Sequence, residues 1–148
     1  MVEEQPLEPA ELLLLFPGFG EVNAERLESF LKKLPGKHRY VFELRNPTWH
    51  IDVIYRILSA YNAAFCIYHL AGFQTPLEIT ADFTYIRLHG PGGKYQGSYS
   101  DESLRTWAAE IRRWRRRLKQ IYVYFDNDQE AFAPRNAIAL KAMLNLST

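Results

Sequence analysis

The chain has 148 residues, 47% of them apolar and 24% charged, with a formal net charge of +1. That length suits one ordinary domain with a real core, and the apolar–charged balance excludes a disordered chain. The near-zero net charge excludes a global field toward nucleic acid or membrane, so any such attraction must be local.

Leu12 to Phe16 is a short apolar run closed by Pro17-Gly18, open between a buried strand and a helix end. Asn23 caps a helix with an apolar face of Leu27, Phe30, Leu31 and Leu34, stopped by Pro35-Gly36. Tyr40 to Leu44 predicts a strand. Asn46-Pro47-Thr48 predicts a turn with Thr48 as the cap of a helix burying Ile54, Ile57, Leu58 and Tyr61. Ala64 to Tyr68 and Phe83 to Leu88 are further strands, and a glycine-rich loop follows from Gly90 to Gly97. Ser100 caps a long helix carrying Leu104, Trp107, Ile111, Trp114 and Leu118 on one stripe. Asp101 and Glu102 stand at its start and Arg115, Arg116, Arg117 and Lys119 at its end, which matches the macrodipole. Ile121 to Phe125 is the last strand, and a final helix from about Pro134 buries Ala137, Leu140 and Leu144. Strands alternating with helices predict an α/β fold with a parallel sheet and right-handed crossovers, in a single domain over 1–148.

In such sheets ligands meet the carboxyl ends of the strands. Those ends hold Glu43 and Arg45, then Tyr68 and His69, then Arg87, His89 and Gly90, then Asp126 and Asn127. The strand period of two puts Glu43 with Arg45 on one side of the sheet, and likewise Arg87 with His89. A carboxylate, two guanidinium groups and an imidazole at one mouth can clamp an oxyanion while His89 or Glu43 moves a proton. The same residues read equally as an ion-pair network tying strand ends together, His89 as a hydrogen-bonded structural histidine, and Asp126-Asn127-Asp128 as a turn.

The loop Gly90-Pro91-Gly92-Gly93-Lys94-Tyr95-Gln96-Gly97 is neither a P-loop nor a dinucleotide fingerprint. Its backbone N–H groups, with Lys94, Tyr95 and Tyr99, could receive a phosphate or a sugar, or serve only as a surface loop. His38, His50, His69 and His89 lack metal-ligand spacing, so no metal is expected, and no cofactor is indicated. Cys66 lies in an apolar strand as a buried thiol, and a lone cysteine suits a reducing cytosol. Arg105, Arg112, Arg116 and Lys119 form a basic stripe that reads as a solvated face before it reads as a phosphate-backbone track. The acidic start Met1-Val2-Glu3-Glu4-Gln5 is wrong for a signal peptide, and no run spans a bilayer, so a cytoplasmic location without membrane partners is expected.

Three motifs carry a resemblance. Phe42-Glu43-Leu44-Arg45-Asn46-Pro47-Thr48-Trp49, Thr84-Tyr85-Ile86-Arg87-Leu88-His89-Gly90 with Tyr95-Gln96-Gly97-Ser98-Tyr99, and Tyr122-Val123-Tyr124-Phe125-Asp126-Asn127-Asp128 resemble the YecE-like family, domain of unknown function 72. The resemblance runs from about Leu12 to the C-terminus. It implies a TIM-type (β/α) barrel with a cleft at the strand ends, and no established activity. A whole barrel typically needs about 250 residues, so the chain is expected to hold four to five βα units, roughly the second half. Two positions depart from the family pattern: leucine stands where glutamine is expected in Leu13-Leu14-Leu15-Phe16-Pro17-Gly18-Phe19, and His69 where aspartate is expected.

The candidate site is therefore Glu43 and His89 as proton-transfer groups, with Arg45, Trp49, His69, Arg87, Lys94, Tyr95, Tyr99 and Asn127 as ligand contacts. The expected chemistry is hydrolysis of a phosphate ester or glycosidic bond on a small phosphorylated or sugar ligand. The alternatives are a nucleic-acid-binding module without catalysis and a degenerate half-barrel acting as a scaffold. Open sheet edges also predict self-association, or pairing with a chain that supplies further strands.

Overall fold

The computed structural model describes the backbone of residues 12–15 and residues 20–145 in full. The Pro17-Gly18 stop lies outside the described residues. The main strands are all parallel and run in the order β1-β2-β3-β5-β6, with one short antiparallel strand, β4, on β3. Backbone contacts divide the chain into two compact units. One comprises the described residues up to Phe65 with Glu78–Ala81; the other comprises Cys66–Leu77 and the described residues from Asp82 onward.

In the first unit, β1 (Leu12–Leu15) settles the open reading of that run in favour of a strand; it pairs with β2 (Arg39–Phe42). Between them α1 (Ala24–Lys33) starts where the Asn23 side chain accepts the Arg26 N–H, at 3.0 Å. Leu27 and Leu31 point inward, and Phe30 meets Phe42 edge to face, so alternate residues of β2 face this helix. A single 3-10 turn, Pro47–Trp49, then leads to α2 (Asp52–Ala60). Thr48 does not cap α2, as the sequence suggested. Asn46 caps the 3-10 turn, and the Thr48 hydroxyl accepts the N–H of Val22. The buried face of α2 is Ile54, Tyr55 and Leu58 instead of the set ending in Tyr61. The helix stops at Ala60, which leaves Tyr61 36% exposed beyond it.

In the second unit β3 (Ala64–Leu70), whose first two residues belong to the other unit, turns through Ala71-Gly72 into β4 (Phe73–Gln74). Both turn residues have positive φ (49° and 84°), the backbone of a two-residue hairpin. β5 (Phe83–Leu88) lies between β3 and β6 (Gln120–Phe125). α3 (Asp101–Arg115) is capped by Ser100 and buries Leu104, Trp107, Ala108, Ile111 and Trp114, while Arg105, Arg112 and Arg116 are exposed. Lys119 fixes the start of β6: its N–H donates to the Asp82 carbonyl and its ammonium meets the Asp82 carboxylate at 3.1 Å.

The last helix, α4 (Phe132–Asn145), corrects the sequence reading twice. It begins before Pro134, and its inward residues are Ala133, Asn136 and Leu140, with Ala137 exposed. The inward face is turned because the Asn136 amide is required inside, where it accepts the Tyr99 N–H and the side-chain N–H of Asn127. Among the described residues no helix is long and apolar enough to cross a membrane.

Trp107 is 6% exposed in the middle of the buried stripe. Trp107→Ala should destabilise the protein by about 3–5 kcal/mol in urea unfolding, whereas Arg116→Ala should shift stability by no more than about 0.5 kcal/mol.

Candidate functional site

The register of the second unit arranges side chains in rows. Cys66, Tyr85 and Tyr122 share one row, and Tyr68, Arg87 and Tyr124 the next. The ladder then runs one residue past the strand ends, because the Asp126 N–H donates to the Leu88 carbonyl and the His89 N–H to that of His69. His89 and Asp126 therefore continue the face that carries Arg87 and Tyr124. The other face holds Ile67, Leu88 and Phe125, with the Phe125 ring 5.9 Å from Tyr99.

At the upper rows Arg87 donates from Nε (3.0 Å) and Nη2 (2.7 Å) to one carboxylate oxygen of Asp126. Nδ1 of His89 stands 3.2 Å from that same oxygen. The Arg87 and Asp126 side chains are 17% and 31% exposed, while His89 is fully buried. Tyr95 from the glycine loop sets its ring edge to face on His89 at 5.3 Å. Tyr124 stacks on Tyr85 with centroids 4.9 Å apart and planes 22° from parallel. Burial, and then the Tyr124 hydroxyl beside it, push the Tyr85 hydroxyl well above its ordinary range.

On the other face Tyr99 ties the strand ends together. Its hydroxyl oxygen accepts the Gly90 N–H at 2.9 Å and lies 2.9 Å from Nδ1 of His69. Burial pushes this hydroxyl up to about 12, against the lowering effect of the Gly90 N–H, and burial followed by the charge of His89 holds His69 below its ordinary 6.5. Gly90 has φ +116°, and a Cβ there would stand 2.2 Å from the Gln96 carbonyl oxygen. Only glycine lets the chain leave β5 this way. Asn127 is buried and donates to the Gly97 carbonyl and to Asn136, both at 2.8 Å, which closes the loop from below.

The sequence-derived candidates belong to both units. Glu43, Arg45 and Trp49 lie in the first unit. There the buried Glu43 carboxylate accepts from Nε of Arg45, and the Trp49 indole N–H donates to the Gly20 carbonyl at 2.8 Å. In the second unit Arg87, His89 and Tyr95 come together, His69 joins Tyr99 on the opposite face, Asn127 belongs to the loop's support, and Lys94 is exposed. The residue that joins this cluster, Asp126, was left out of the candidate set. Its signal was its place directly after the last strand, discounted because Asp-Asn-Asp also reads as a turn. Among the described residues no group of three or more His, Cys, Asp or Glu gathers as a metal site would require.

A sequence model described as "Protein of unknown function DUF72" matches residues 8–148. No curated protein matches. Among solved structures, the fold is similar to a DUF72 family protein of Thermotoga maritima MSB8, with a TM-score of 0.78 and 25% identity over 91% of this chain and 58% of that one. Two crystal structures of a DUF72 family protein from Enterococcus faecalis V583 are also similar, with TM-scores of 0.72 and 0.68 at 17% and 20% identity. They are covered over 59% and 61% of their length, by 93% and 92% of this chain. The chain thus spans about three-fifths of these structures, and its fold class is that of a partial TIM-type (β/α) barrel.

The lowered His69 pKa has a consequence for stability. Well above pH 6.5 the ring is neutral folded and unfolded, so its environment carries no penalty. As pH falls below 6.5 the unfolded chain takes up the proton first, and stability declines until the folded-state pKa is passed. NMR titration should place His69 below 6.5, and His69→Gln should flatten the fall in stability on acidification.

Proposed function

We propose that this chain, which belongs to the DUF72 family, holds a small polar ligand at the carboxyl ends of β5 and β6 and hydrolyses a phosphate ester or glycosidic bond in it. The observation that carries the reading is the Asp126 oxygen shared by the Arg87 guanidinium and the His89 imidazole. A carboxylate beside one ring nitrogen can orient an imidazole, the part such a group plays beside a general acid or base. Arg87 and Asp126 are the partly exposed members and would meet the ligand; His89, under Tyr95, would move the proton once that ring shifts. The position at the strand ends is where sites of this fold class lie, which supports the reading by analogy only.

A second reading is favoured by β6 itself. Among the described residues it pairs only with β5, and its sequence, Gln120-Ile121-Tyr122-Val123-Tyr124-Phe125, carries no charge to discourage strand addition. The chain would then associate through this edge, and light scattering across a dilution series should show a concentration-dependent mass. A monomer throughout the micromolar range would remove this reading.

For the hydrolytic reading, p-nitrophenyl phosphate and p-nitrophenyl glycosides should be turned over with a pH-dependent rate. His89→Ala should lower kcat about 10²- to 10⁴-fold, and Asp126→Asn should lower it in the same direction with the fold retained by circular dichroism. Rates unchanged in both variants would sink the assignment.

A further inference from the structure

The charge of the chain is unevenly placed. Residues 105–119 hold seven of its 18 lysines and arginines and one of its 17 acidic residues, Glu110. Seven cations less one carboxylate give this window +6 against +1 for the whole chain, which leaves −5 elsewhere. All seven cations are exposed. Arg113 meets Glu110 and Lys119 meets Asp82, but among the described residues no acidic side chain pairs with Arg105, Arg115, Arg116 or Arg117. The helix that carries them is not at a border of the sheet. α3 connects the paired strands β5 and β6, with α4 along one side, where Arg112 donates to the Met143 carbonyl at 2.7 Å. On its other side Ser103 and Glu110 line a cavity together with Gln74 and Leu77.

Folding does not call for this many like charges. The helix dipole favours cations in the last turn only, yet Arg105 stands in the first half of α3 and Arg116 and Arg117 follow its end. Arg112 has Arg115 three positions on and Arg116 four positions on, and neighbours of one sign at those spacings repel. A solvated helix face mixes signs, whereas five of the six residues from Arg112 to Arg117 are arginine. The chemistry then selects the partner. Six of the seven cations are arginine, whose planar fork matches phosphate oxygens in pairs. Arg105, Arg112 and Arg116 form a stripe about 16 Å long, which a repeating anion can follow and a single ion cannot. The large apolar side chains of the window, Trp107, Ile111 and Trp114, are buried, so this face has nothing to insert into a bilayer. Its other exposed residues, Thr106 and Ala109, offer no ring on which a base could stack.

We propose that the exposed face from Arg105 to Lys119 binds nucleic acid through its phosphate backbone, without reading the base sequence. This face ends where β6 begins, at the end of that strand away from Asp126. It is therefore separate from the strand-end site, and either can fail without the other.

The test measures fluorescence anisotropy of a short labelled DNA duplex and a short labelled RNA strand, of arbitrary sequence, against the full chain over a salt series. Both should bind at low salt, and the duplex should show a log–log salt slope of about −3, the value for three to four phosphate contacts. Combining Arg115→Gln, Arg116→Gln and Arg117→Gln should weaken binding about tenfold or more and make the slope shallower by about 2 to 3. Lys32→Gln with Lys33→Gln removes exposed charge from α1 instead and should leave affinity and slope unchanged. Both variants should keep the parent's urea midpoint, because every replaced side chain is exposed. If the two variants weaken binding alike, bulk charge explains it and the surface is overturned. Absence of binding to either nucleic acid at low salt overturns it as well. Tighter binding to phosphatidylserine vesicles than to DNA or RNA would replace the nucleic acid with a membrane and overturn the proposal.

Discussion

The parallel register of β5 on β6 places every group that matters in the second unit. It sets Arg87 beside Tyr124, and the Asp126 N–H to Leu88 carbonyl bond carries the ladder one step further, bringing Asp126 level with His89. A slip of one residue would turn Tyr124 and Asp126 to the face that meets Tyr99 and leave Arg87 without its carboxylate. The register in turn is fixed at its lower end by Lys119, which bonds Asp82 through both backbone and ammonium. Apolar packing of Phe83, Ile86 and Leu88 makes the strands, but it is this alignment that makes a cluster out of single polar residues.

The opposite face shows what holds that cluster still. Tyr99, Asn127 and Asn136 form a polar set under the glycine loop, linked by the bonds from Tyr99 N–H and the Asn127 amide to Asn136 and from Asn127 to Gly97. Buried amides cost free energy unless they are bonded, so this set favours one loop geometry over the many open to a glycine-rich segment. Gly90 adds a steric condition, since a side chain there would strike Gln96. Tyr95 is thereby delivered over His89 by a loop whose two ends are both fixed.

What was legible in the sequence follows from how local each signal is. β5, the Ser100 cap and the stripe of Trp107, Ile111 and Trp114 were plain, because period and capping act within a few residues. The β3–β4 hairpin was missed: its turn needs positive φ at two positions, and only Gly72 advertises that, while Ala71 does not. The face of α4 was misread because Asn136 looks like a surface residue until its partners Tyr99 and Asn127 are known, 37 and 9 positions away. Asp126 was discounted for a related reason. Its meaning depends on Arg87, 39 residues earlier, and nothing within its own turn reveals that partner.

An ion pair such as Arg87–Asp126 adds little net stability for the charges it draws out of water. Taking charges out of water costs several kcal/mol per ion, and well-packed apolar residues of similar volume commonly do as well or better in such places. The rows beneath show that apolar and aromatic filling is available to this face, with Cys66, Tyr85 and Tyr122 in one of them. The ionisable groups Arg87, His89 and Asp126 stand together at the carboxyl ends, and there the local preference for an apolar, strand-forming face is broken. Departures from local consistency concentrate where a chain is selected for what it binds.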